Sequence, residues 1–238
     1  MQTKKDYIYQ TIIEQLLSGR YGFGDPLQVK EISDATGASR NPIMAAMHLL
    51  QHNGFVRITA QVGCTVASPG REEVNDFYRM FAAIEQLIGE MAAARAAVAE
   101  IAELRRINQA IGALRADQPK VEEKYRGLNV EFHLQLHEMA RSPIVCGRQF
   151  ANFELSDFYL VQTGGFSAHL PFVHAEHEKI IQAIEARDAS ATGKAARAHI
   201  ESVAKHLDDY FSTQEAPRSR AQSNQPQSSS RRSRKSSN

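Results

Sequence analysis

The 238-residue chain contains no tryptophan and only two cysteines, Cys64 and Cys146. Two thiols cannot build a disulfide framework and suit a reducing compartment, so a cytoplasmic protein is expected. No uncharged apolar run reaches the roughly 18 residues that a membrane span needs. The N-terminal residues Lys4, Lys5 and Asp6 lead into a periodic segment carrying Glu14, unlike a signal-peptide core. Also missing are a His-Glu-x-x-His pair, a glycine-rich phosphate loop and a serine elbow. A catalytic role is therefore not expected.

What is present suffices for a core: 42% of residues are hydrophobic and 23% charged. The net charge of +1 conceals three unlike blocks. Residues 1–70 carry six basic and five acidic residues, residues 71–217 carry 16 and 22, and residues 218–238 carry six and none. An acidic middle repels nucleic acid, so any DNA contact belongs to the ends. Residues 214–238, rich in Ser, Gln and Arg, cannot bury enough surface to order themselves. That tail reads as a solvated segment or as a basic arm around Arg231, Arg232 and Arg234.

Hydrophobic spacing divides the remainder into residues 1–69 and 70–213. In the first, Ile8, Ile12 and Leu16 recur at helical spacing, and a short helix spans about residues 29–36 up to Gly37. Ser39 can cap a third helix with Ile43, Met47 and Leu50 facing inward. Residues 55–59 and 64–67 flank Gln61, Val62 and Gly63 as a hairpin. Helix, helix, turn, helix and hairpin make a winged helix-turn-helix, whose third helix enters the major groove. Ser39, Arg40 and Asn41 stand at its start, where Arg reads guanine and Asn reads adenine. Gly63 lets the wing tip approach the duplex, and Lys4, Lys5, Lys30 and Arg57 are candidate phosphate contacts.

The run Glu31, Ile32, Ser33, Gly37, Ala38, Ser39, Arg40, Asn41, Pro42, Ile43 and Ala46 resembles the N-terminal domain of GntR-family transcription regulators. The family's second recognition-helix Arg falls on Met44 and its acidic neighbour on Ala45, which implies a missing guanidinium contact.

Residues 70–213 read as helix throughout: Phe77, Phe81, Ile84, Ile88 and Met91 share one face. Amphipathic segments follow at about 99–115, 120–141, 144–161, 172–187 and 189–212. The expected class is mainly α, a winged helix-turn-helix joined to an all-helical bundle. Met80, Met91 and Met139 read as core fillers. Asn129 and His133 are i and i+4 on one helix. His177 lies 11 residues before Asp188 and His199 lies 11 after it, so antiparallel helices turning there return the two to one level. Three imidazoles and an amide then converge. They read either as ligands for Zn²⁺, Ni²⁺ or Mn²⁺, or as hydrogen-bonded core histidines. His137, one turn beyond His133, is a spare ligand, an effector contact or a boundary residue. His169 and His174, near Gly164-Gly165 and Pro171, read as surface or lid residues.

Residues 129–136, 176–188 and 198–200 resemble the FCD domain of the FadR-type GntR branch. The resemblance implies a metal set at Asn129, His133, His177 and His199, with Asn where the family has Asp. It implies an effector pocket at Glu85, but the family's carboxylate-clamping Arg falls on Phe81. Either the ligand is more apolar, or its carboxylate is held by the metal and another cation such as Arg126 or Arg148, close in sequence, and His137 is a further candidate contact. The expected protein is a homodimeric repressor binding double-stranded operator DNA, controlled by a small organic acid. A metal-sensing regulator is the rival reading, followed by a metal-dependent enzyme.

Overall fold

The computed structural model describes residues 3–215, which form nine helices and one three-stranded sheet. The chain runs α1 (Lys4–Leu17), β1 (Pro26–Leu27), α2 (Val29–Thr36), α3 (Arg40–His52), β2 (Val56–Thr59) and β3 (Gly63–Val66). Thr3 and Asp6 close a capping box at the start of α1. Gly37, left-handed at φ 63°, ends α2 and turns the chain into α3. Ser39 occupies the N-cap of α3 in extended backbone, but its hydroxyl makes no capping bond. Ile43, Ala46, Met47 and Leu50 pack inward as their spacing predicts. The sheet has the order β1-β3-β2, with Arg57 opposite Thr65 and Leu27 opposite Cys64. Strand β1 is not visible in the sequence pattern. Pro26 is tolerated because it opens an edge strand, where no ladder donor is needed.

The helical half comprises α4 (Arg71–Arg95), α5 (Val98–Gly112), α6 (Val121–Ala140), α7 (Pro143–Thr163), α8 (Gly165–Glu185) and α9 (Ala189–Glu215). The backbones of α4 and α9 approach closely at two glycines. A Cβ on Gly89 would stand 3.2 Å from that of Ala196, and one on Gly193 would strike the Glu90 side chain at 2.6 Å. Asp188 accepts from the Ala191 amide at 2.8 Å and so caps α9 at the predicted turn. Among the described residues, no helix is long and apolar enough to cross a membrane.

Three expectations change. Residues 165–171 are the first turns of α8, not a loop: Gly164 at φ 67° stops α7 and α8 starts directly after it, with Pro171 inside. Pro171 is the seventh residue of α8, so it gives up the amide donation to the Ser167 carbonyl, and the helix nevertheless continues through it. Met80 is 47% exposed rather than a core filler, whereas Met139 is fully buried. Gln214 and Glu215 continue α9, and the rest of the expected basic tail, residues 216–238, lies outside the described residues.

The winged helix is seated on α7. Phe23 meets Phe158 edge-on at 5.6 Å and lies 6.2 Å from Phe211, while Phe55 packs on Phe158 at 5.7 Å. The Tyr9 hydroxyl donates to Glu154 at 3.0 Å and itself accepts from Asn53 at 3.0 Å. Gln162 donates to the Tyr21 carbonyl at 2.9 Å. Apolar rings and polar contacts together fix the winged helix against the bundle.

Candidate functional site

The proposed DNA face is free of core duties. Lys4, Lys5, Lys30, Ser39, Arg40, Asn41, Arg57 and Gly63 are exposed, and Met44 is half-buried on the same helix. The wing turns through Gln61 at φ 63° and Gly63 at φ 133°, a backbone that favours glycine. Val62, 79% exposed, forms the tip.

The second site is buried between α4, α6, α8 and α9. His133, His177 and His199 converge so that their ligand atoms lie within 4.8 Å of one another. The Nε2 atoms of His177 and His199 are 3.4 Å apart, as the equal spacing about Asp188 predicts. Two nitrogens each about 2.1 Å from a tetrahedral ion stand at nearly that separation. Among the described residues, four side-chain atoms are buried without a hydrogen-bond partner: His133 Nε2, His177 Nδ1, Asn129 Oδ1 and, outside the site, Asn108 Oδ1. Unsatisfied buried polar atoms are rare, and three of these four belong to residues expected to hold a metal. Burial lowers the pKa of all three histidines, and the neighbouring imidazoles add to this at His177. Neutral imidazole is the form that ligates a cation.

Carboxylates stand behind two of the three rings. Glu85 Oε2 faces His133 Nδ1 at 3.3 Å, and Glu176 Oε2 faces His199 Nδ1 at 2.9 Å. Such partners fix ring orientation and raise basicity in carboxylate–histidine–metal arrangements. Burial pulls the Glu85 carboxyl upward, but its hydrogen bonds with His133 and His137 outweigh that and hold it well below the usual range. Its Oε1 takes His137 Nε2 and Gln149 Nε2, both at 2.9 Å. Phe132 stacks on His177 at 3.7 Å, and Phe153 packs on His133 at 4.5 Å.

The five expected pocket residues separate. Phe81, Glu85 and His137 are buried together, Phe81 against Phe153 at 4.8 Å. Arg148 is exposed and takes no part; Gln149, one residue further and turned inward, binds Glu85 instead. Arg126 lies at a different place, a cleft of about 410 Å³ that it shares with Glu14, Leu17, Glu122 and Phe166. His169 is 1% exposed, not a surface residue, and its Nε2 meets Glu176 at 2.9 Å. His174 is exposed as expected. Sequence reasoning missed Gln149 and Glu176. Their signals were a four-residue step from Gln149 to Phe153 and an acid directly before His177.

Comparison with known proteins agrees with these two halves. Residues 4–66 match the family "Bacterial regulatory proteins, gntR family", and residues 76–202 match the FCD domain, more than half the chain. The chain belongs to the GntR family of transcriptional regulators, with an FCD domain. These are families of DNA-binding regulators, not of enzymes. The HTH-type transcriptional regulator YdhC of Bacillus subtilis (strain 168) is 25% identical over 83 residues, 35% of this chain and 37% of that protein. The match thus spans well under two thirds of that relative. The E. coli McbR/YncC structure superposes with a TM-score of 0.69 at 17% identity, covering 90% of this chain and 99% of that one. A GntR transcriptional regulator from Rhodococcus sp. RHA1 gives 0.68 at 15% identity, covering 85% and 96%. At such identities the likeness is one of fold.

Proposed function

We propose that this GntR-family regulator is a homodimeric repressor whose FCD domain senses a small organic acid through a divalent metal. The observation that carries the reading is the convergence of three buried imidazoles, with unpartnered atoms on His133, His177 and Asn129. Asn129, His133, His177 and His199 would hold Zn²⁺, Ni²⁺ or Mn²⁺, and the bound ion would supply a positive charge and an open position for a ligand carboxylate. That charge replaces the guanidinium that the family carries where Phe81 stands. Asn129 offers an oxygen without a negative charge, so the ion is held less tightly than by an aspartate. A ligand alters DNA binding only by preferring one state, at about 1.4 kcal/mol per tenfold preference.

A second reading has one observation in its favour. Phe81, Phe132 and Phe153 pack around the histidines, filling space an organic ligand needs. In that reading the metal itself is the signal.

The test begins with elemental analysis of protein purified without chelator. About one equivalent of metal, and a melting temperature lowered by EDTA, are expected. A duplex selected from a random pool with the full chain then reports DNA affinity. Small carboxylates should raise the melting temperature and alter that affinity only in the metal-loaded protein. A severalfold change in affinity from metal alone favours the metal sensor. Absence of metal together with indifference to EDTA overturns both readings.

A further inference from the structure

We propose that His169, Glu176 and the Nδ1 face of His199 form a second divalent-cation site, which shares His199 with the three-histidine set and is occupied in alternation with it. The donor atoms of these residues lie within 4.8 Å of one another. Glu176 Oε2 stands 2.9 Å from both His169 Nε2 and His199 Nδ1. The two rings are almost fully buried, whereas the carboxylate is 18% exposed and opens the cluster toward water.

Alternation follows from the chemistry of a neutral imidazole, which has one N–H and one lone pair. With the proton on Nδ1, His199 donates to Glu176, and its Nε2 lone pair faces His133 and His177. With the proton on Nε2, it donates to His177 Nε2 at 3.4 Å, and its lone pair faces Glu176 and His169. Both tautomers therefore find a partner. His169 is served in the same way: the Tyr125 hydroxyl, 2.8 Å from its Nδ1, accepts that N–H and leaves Nε2 to ligate. Filling both sites at once would demand an imidazolate at His199, with neither nitrogen carrying a proton.

The two sets differ in character. The inner one offers only neutral donors, three of them imidazoles, and the outer one carries a carboxylate. Carboxylate oxygen suits Mn²⁺ and imidazole suits Zn²⁺ and Ni²⁺, so the metals distribute differently between them. The outer set also lies nearer the surface. His206 on α9 comes within 5.5 Å of the His169 ring, and the half-exposed Phe172 stacks on His206 at 5.7 Å. The alternation rests on the three-histidine reading, whereas the outer donor set, His169, Glu176 and His199, stands without it.

The test titrates metal-free full-length protein with Co²⁺ and follows its visible absorption. The unmodified chain should saturate with a single ion, and two ions would overturn alternation. Glu176→Gln should weaken binding by about 10- to 100-fold, because His199 loses its carboxylate partner. The double variant His133→Ala, His177→Ala should still take one ion with an altered spectrum, and adding Glu176→Gln should abolish it. A folded double variant that binds no Co²⁺ overturns the outer site and leaves the inner reading standing. A double variant with the unmodified chain's affinity and spectrum would keep the outer site but overturn the inner reading and the alternation with it. His169→Gln, which touches only the outer set, covers the case of a double variant that does not fold. It should remove one component of the unmodified chain's spectrum at sub-saturating metal; an unchanged spectrum overturns the proposal.

Discussion

Asp157 is a buried carboxyl on α7 outside both histidine sets. Burial pushes its pKa up to about 7, partly opposed by Arg126 on α6 and reinforced by Glu154 on its own helix. Tyr125 on α6 and Tyr78 on α4 also face it. The unfolded chain titrates this group near 3.8, so the folded state holds its proton more tightly. The associated stability is fully present below about pH 3.8 and is lost as pH rises through 7, on the order of 4 kcal/mol. Asp157→Asn should therefore melt higher than the parent at pH 8, with the difference shrinking steadily toward pH 4. A difference independent of pH, measured by paired thermal melts, would contradict this. Single residues also show where sequence reasoning stops. His177 and His199 were legible because equal spacing about one turn is a geometric constraint. Arg148 was chosen for its charge, but the 100° step to Gln149 decides which of the two faces Glu85.

At the level of elements, helix α3 carries the side chains expected to read DNA, and its two faces are cleanly divided. Ile43, Ala46, Met47 and Leu50 anchor it, and Arg40 and Asn41 remain exposed at its first turn. Arg40→Ala should leave the folding stability within about 0.5 kcal/mol of the parent's. It should cost about 1–3 kcal/mol of discrimination at one base step, read by gel shift against single-base operator variants. Equal discrimination by parent and variant would move base reading elsewhere. Most helices were readable from periodicity, because each buries one stripe of residues against a neighbour. Strand β1 and the first turns of α8 were not. Two residues carry no period, and Pro171 reads as a boundary although α8 continues through it. That error turned His169 into a surface residue and concealed the outer histidine set.

Across the whole molecule, α7 touches both functional regions. Gln149 and Phe153 contact Glu85 and His133, while Glu154 and Phe158 contact Tyr9, Phe23 and Phe55. Phe158 is fully buried, and truncating such a ring costs about 3–5 kcal/mol. Phe158→Ala should split thermal unfolding into two transitions, with the winged helix released first, whereas the parent unfolds in one. Calorimetry decides this, and a single transition in the variant would show that the halves hold together without the aromatic contact. The seating of Phe23 and Phe55 on α7 has one more consequence, for the DNA. Only residues 67–70 join the last wing strand to α4, and the head they lead to is already clamped. In the proposed dimer the distance between the two reading heads is then set by the bundle, with no slack in the tether. Each added base pair moves a half-site by ~3.4 Å and rotates it by roughly 35°, and neither displacement can be absorbed by a loose arm. Operators for this regulator should therefore share one half-site spacing.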